Sequence, residues 1–178
     1  MQSTSTGTST PIAPELQRMT SEYIDTEDRI RLRGQVRESE VVLLWFSQRL
    51  LTRLLPHLFL WLEKQTDTSL PKEIVQSFAQ TAARSQLTPE PSVVIQPDAV
   101  SWLVHSVDVT ADVDSIRLLF KGEQNQQVRL TLRSQQLRQW LSILQSLWSK
   151  GEWPSGLWPE WMTGNDLSGI SRQEVSLH

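Results

Sequence analysis

Apolar residues are densest at positions 39–64, SEVVLLWFSQRLLTRLLPHLFLWLEK. Leu44, Ser47, Leu51, Leu54, Leu58 and Trp61 recur at alternating spacings of three and four. That rhythm places them on one narrow helical face. Leu43, Leu50, Leu55 and Leu62 widen the stripe, while Gln48, Arg49, Thr52, Arg53, Pro56 and His57 fall opposite. Both ends are apolar nearly all round, with Val41, Val42, Trp45 and Phe46 at one and Phe59 and Leu60 at the other. A helix apolar on every side must be buried on several sides. The pattern therefore predicts one central core helix over 39–64, with Ser39 as its N-cap and Glu40 in its first turn. Pro56 cannot donate the intrahelical hydrogen bond and predicts a kink on the polar face.

Elsewhere the period is two. Arg29–Arg37 alternates strictly, with Ile30, Leu32, Gly34 and Val36 facing one way and arginines or Gln35 facing the other. This predicts a half-buried strand, and Gly34 in it marks a bulge or a close backbone approach. Residues 100–110 alternate with a phase slip, because Trp102 and Val104 share one face while Leu103, Val107 and Val109 share the other. Ser115–Lys121 turns Ile116, Leu118 and Phe120 inward, and Gln127–Arg133 turns Val128, Leu130 and Leu132 inward, with a Gly122-Glu123-Gln124-Asn125 turn between. The three form a meander ending in a hairpin.

Two more helices frame the meander. Pro71 suits the first position of one, whose expected buried face is Ile74, Val75, Phe78, Ala79, Ala82 and Ala83. It should pack antiparallel on the central helix. Ser134 is read as the cap of the last, where Leu137, Trp140, Leu141, Leu144, Leu147 and Trp148 recur before Gly151. Residues 153–162 then hold Trp153-Pro154, Trp158-Pro159 and Trp161. No internal repeat is evident.

These elements predict an α+β fold: a four-stranded, mainly antiparallel sheet with three helices packed on one face, the first strand lying at an edge of the meander. Residues 27–162 form the expected domain. Residues 1–26, rich in Ser, Thr and acidic side chains, and residues 163–178 are expected to be disordered tails, since they bury too little apolar area to offset their ordering entropy.

Composition narrows the function classes. The 178 residues carry a net charge of −3 and eight tryptophans. The pI near 5.6 argues against a bulk polyanion binder, so any nucleic-acid role must rest on a local patch. There is no cysteine, which excludes disulfides, thiol catalysis and Cys-ligated zinc. The first residues lack the basic and apolar regions of a signal peptide, and the two arginines at 49 and 53 oppose a membrane span over 39–64. A cytoplasmic location is expected. His57, His105 and His178 are isolated, and no phosphate-cradling loop or nucleophile elbow is present. No catalytic residue, metal site or cofactor is assigned.

Two surfaces carry candidate chemistry. Arg29, Arg31, Arg33 and Arg37 project from one strand, with Arg117, Lys121, Arg129 and Arg133 on strands expected beside it. Together they would form a basic sheet face for phosphates or an acidic partner, or else a solvated face neutralised by neighbouring aspartates. Trp153, Trp158 and Trp161 are candidate partner-docking side chains, or else an arm folded over the open end of the core. The leading expectation is a non-enzymatic protein–protein interaction or assembly module, with a homodimer among its candidate assemblies. Nucleic-acid or other polyanion binding is the alternative.

Overall fold

Three of the expected strands form as read, but the dense apolar stretch divides. A computed structural model describes residues 12–66 and 69–164. Among these, β2 spans Arg29–Arg37, β6 spans Ser115–Lys121 and β7 spans Gln127–Arg133. The expected helix over 39–64 is instead strand β3, Glu40–Phe46, followed by helix α1, Gln48–Lys64. Ser47, not Ser39, caps the helix, its side chain accepting from the Leu50 N–H. The correction has a physical cause. Val42, Leu44 and Phe46 face the main core, while Val41 and Leu43 are covered on the other face by Val93 and Ala99. A strand buried on both faces loses its alternation and cannot be told from a buried helix by periodicity. Within α1 the expected phase holds: Leu51, Leu54, Leu58 and Trp61 are buried, and Arg49, Arg53, Pro56 and His57 are exposed.

Two sheets replace the single one. The first is mixed, in the order β1-β2-β3-β4, with β1 at Arg18–Ile24 and β4 at Val100–Leu103. The second is antiparallel, β5-β6-β7, with β5 at Ser106–Ala111. The phase slip at 100–110 is the break between β4 and β5, where the chain leaves one sheet for the other. Residues 18–24, expected in the N-terminal tail, form β1, because pairing with β2 supplies backbone hydrogen bonds that composition does not reveal. Residues 1–11 and 165–178 lie outside the described residues, so the tail expectation there is not addressed.

The sheets join at two corners. Glu15 bridges to Arg129 of β7, and the Leu16 N–H donates to the Arg129 carbonyl at 2.8 Å before the chain enters β1. At the other corner, Val104 N–H donates to the Trp45 carbonyl and His105 N–H to the Lys121 carbonyl. Gly34 permits the first corner: a Cβ there would collide with the Leu16 side chain.

The two halves repeat. Ile30 lies opposite Phe46, and 86 positions on, Ile116 lies opposite Leu132. The parallel contacts correspond too, Leu43 with Ser101 and Arg129 with Glu15. At the same offset, buried Leu51, Leu55, Leu58 and Leu62 of α1 match buried Leu137, Leu141, Leu144 and Trp148 of helix α3, Ser134–Lys150. Helix α1 packs against β5 and α3 against β1, so each unit's helix covers a strand of the other. The sequence hides this repeat because it preserves the apolar positions rather than the identities. Helix α3 begins at Ser134 with Arg133 in the cap position, one residue earlier than read.

Leu55 and Leu141 are both fully buried and stand at matched positions. Leu55→Ala and Leu141→Ala should each destabilise the protein by about 2 to 5 kcal/mol through loss of contacts and the cavity left behind. Chemical denaturation of the two variants measures this; a shift worth less than about 0.5 kcal/mol at either position would contradict its place in the core.

Candidate interaction site

The basic residues divide between two sheets. Arg29, Arg31, Arg33 and Arg37 lie on β2 in the first sheet, and Arg117, Arg129 and Arg133 lie on β6 and β7 in the second. Most have acidic neighbours. Glu22 of β1 accepts from Arg31 Nε at 2.6 Å and from both Nε and Nη2 of Arg33. Arg31 also lies over the Trp45 ring, 5.3 Å from its centroid. Burial alone would raise the Glu22 carboxyl, but hydrogen bonds from Arg33 and Arg31 outweigh it and hold the group below its ordinary value of 4.5. Arg129 pairs with Glu15, and Arg117 lies 3.8 Å from Asp112. Arg37 and Arg133 are exposed, Arg37 standing 4.0 Å from Glu40. Residues 91–93 also cross the first sheet, where Arg33 Nη1 donates to the Val93 carbonyl and Arg18 to the Pro91 carbonyl.

The tryptophans lie inside. Trp153, Trp158 and Trp161 are buried in the main core with Trp148 and Phe59. Trp153 meets Trp148 edge-on at 4.9 Å and donates to Asp28 Oδ1 at 2.7 Å. Asp28 also accepts from the Tyr23 hydroxyl at 2.7 Å. These bonds, from Trp153 first and Tyr23 second, hold the Asp28 carboxyl below its usual range, and the same contact pushes Tyr23 up to about 12. The arm thus closes over the end of the core and is pinned by polar contacts.

The surface anomaly is on helix α2, Lys72–Ser85. Sequence periodicity turns Ile74 and Phe78 inward. The structure turns them outward: Phe78 is 74% exposed and Ile74 48%. Ala82 is also exposed, Val75 and Ala79 are half-buried, and Ala83 alone of the expected face is buried. The buried face is Gln76, Gln80 and Ala83. Gln76 accepts from Arg138 Nη2 and donates to the Thr66 hydroxyl at 2.6 Å. Gln80 donates to the Arg138 carbonyl and the Ser142 hydroxyl, each at 2.8 Å. Helix α2 leans chiefly on α3 and on the short helix α4, Glu160–Thr163, rather than pairing with α1 as expected.

This seam is polar and strained for partners. Arg138 is 4% exposed, and among the described residues no carboxylate pairs with it. Burial lowers its pKa to about 10, and the Trp161 ring, 5.5 Å away, is its aromatic neighbour. Among the described residues Arg138 Nη1 and Gln80 Oε1 have no hydrogen-bond partner. Between α2 and α4 runs a hollow of about 480 Å³, with Ile74 and Phe78 on its rim and Trp161 and Glu160 opposite. The two stripes of α2, Ile74 with Phe78 and Gln76 with Gln80, have the same spacing of four, so periodicity alone could not say which faces in. Comparison with protein-family models, curated proteins and solved structures finds no match.

The Glu22 cluster yields a pH test. A carboxylate whose folded pKa is depressed stabilises the fold above its unfolded value, here 4.5, and loses that contribution as pH falls through the lower folded value. Glu22→Gln should therefore lower the melting temperature at neutral pH, with the gap to wild type closing as pH falls below 4.5. A gap that is unchanged across that range would show that Glu22 does not act through its charge.

Proposed function

We propose that this chain is a non-enzymatic protein–protein interaction module whose contact surface is the outer face of α2 with the hollow against α4. One observation carries the reading: a helix that buries glutamines and presents Phe78 and Ile74 to water. Leaving a large apolar side chain in water forgoes about 1.5 to 3 kcal/mol of burial, and a buried polar group far from ideal pairing adds its own cost. Scattered apolar residues on a surface are ordinary, but buried polar groups behind an exposed apolar stripe are informative. A partner that covers Phe78 would recover the forgone burial. Aromatic side chains are also enriched at interfaces. Polyanion binding has narrower support, because Arg31, Arg33, Arg117 and Arg129 already face carboxylates.

Phe78→Asp tests the reading. The side chain is outside the core, so the denaturation midpoint should move by less than about 0.5 kcal/mol. Immobilised wild-type chain should retain a protein partner that the Phe78→Asp chain loses. Equal retention by both chains would remove α2 from the interaction surface.

A further inference from the structure

We infer that the chain has a second interaction surface, a strand edge at Thr131 that takes an extended peptide of apolar-acidic-apolar sequence. Phe78 and Ile74 take no part in it. The two repeats differ at one rung. In the first, β4 runs parallel to β3 until Leu103 lies opposite Trp45, and the Val104 N–H donates to the Trp45 carbonyl at 2.9 Å. The match of Trp45, 86 positions on, is Thr131 of β7. The covering chain there leaves at Arg129, two residues short of Thr131. Leu16 donates to the Arg129 carbonyl, and Gln17 already turns to the Gln35 carbonyl of β2.

The rung left over is open. Arg129 N–H donates to the Pro14 carbonyl and its own carbonyl accepts from Leu16, so both groups point away from β6. The register of β6 with β7 is unbroken, and backbone direction alternates along a strand. The N–H and C=O of Thr131 therefore also point away from β6, and among the described residues neither has a partner. Just beyond, the Arg133 N–H is closed off by the Gln136 side chain at 3.0 Å. Thr131 borders a groove of about 670 Å³ between β7, β1, α3 and residues 86–91. An open edge beside a groove is where an extended chain adds a strand.

The first repeat shows what covers such an edge: a segment parallel to the strand. Laid that way along β7, a peptide accepts from the Thr131 N–H with one carbonyl and donates to the Thr131 carbonyl with the N–H two residues on. The residue between points outward with Thr131, and its two neighbours point inward. The chain uses this arrangement twice on itself. Pro14-Glu15-Leu16 brackets Arg129 and Trp102-Leu103-Val104 brackets Trp45, with Leu16, Trp102 and Val104 buried. In the groove the inward positions meet Met19, Leu132, Trp140 and Ile143, which calls for apolar side chains. Outward, Arg129 and Arg133 flank Thr131. Arg129 is held by Glu15, whereas Arg133 is exposed and pairs with no carboxylate among the described residues. A middle acidic residue lies diagonally across from Arg133.

Nuclear magnetic resonance of the full chain tests this with the capped pentapeptide acetyl-Ala-Val-Glu-Leu-Ala-amide, titrated to about 10 mM. In the free chain the Thr131 amide should exchange with solvent faster than those of Leu130 and Leu132, which face β6. The peptide should shift the Thr131 amide resonance and slow its exchange. Methylating the peptide's leucine nitrogen removes the donor to the Thr131 carbonyl and should weaken binding at least about fivefold. Lysine in place of the glutamate should weaken it at least about twofold. Thr131→Pro removes the N–H that faces the groove while sparing the ladder to β6, and should abolish binding without changing the melting temperature. If that variant fails to fold, the methylated peptide on the wild type still decides. No shift at Thr131 by about 10 mM, equal binding of the methylated peptide, or a Thr131 amide as protected in the free chain as its neighbours would overturn the site. Equal binding of the lysine peptide would overturn the acidic middle position.

Discussion

Two corners hold the fold together, each a place where one run of chain passes from one sheet into the other. At the first, Leu16 donates to β7 and the next residue, Gln17, donates to the Gln35 carbonyl on β2, each at 2.8 Å. At the second, Val104 donates to β3 and His105 to β6, at 2.9 and 2.8 Å. Backbone groups at a sheet edge must find partners or water, and an open edge invites pairing with other chains. Here the edge of each sheet continues into the other, so the six strand tracks form a ring around one core. The inward residues of both sheets, with α1 and α3, then share a single apolar cluster. The 86-residue repeat follows the same geometry: each half supplies one corner, and each half's helix covers a strand of the other.

What the ring does not enclose is treated differently. Helix α2 is attached through side-chain hydrogen bonds to the Arg138 and Leu62 carbonyls and to Thr66 and Ser142. Such bonds specify orientation, because an unmatched buried donor or acceptor is costly, but their net contribution to stability is modest, about 1 kcal/mol each. The helix is thus positioned more than it is buried. That is why its larger apolar side chains remain on the outside; beneath it lies the Arg138 guanidinium, with no carboxylate partner among the described residues and its pKa lowered by burial to about 10.

The arginine strands show how a local pattern can be right while its consequence is not. Strict alternation places Arg31 and Arg33 away from the core, as they are. Yet each stands across from β1, where Glu22 lies opposite Arg31 and beside Arg33. Cross-strand pairs decide the charge a ligand would meet. The carboxylate came from a segment whose composition reads as tail, and the second group of arginines belongs to another sheet. A basic face deduced from one strand at a time therefore leaves out both the neighbouring carboxylates and the division between two sheets.

The sequence by itself determined the elements whose two faces differ. Three strands, β2, β6 and β7, carry their alternation undisturbed, since one side meets the core and the other meets water. The buried side of α1 and the inward tryptophan-rich phase of α3 were legible for the same reason, as was the close approach at Gly34. Tertiary structure decided the rest. It made 40–46 a strand, because Val93 and Ala99 cover the face that would otherwise have been polar. It drew 18–24 out of an apparent tail, because strand pairing depends on a partner distant in sequence. It split the sheet at Val104, where a phase slip marks a discontinuity but not its direction. It also chose the glutamine stripe of α2 over the phenylalanine stripe, since both have helical spacing and only the waiting Arg138, Ser142 and Thr66 distinguish them.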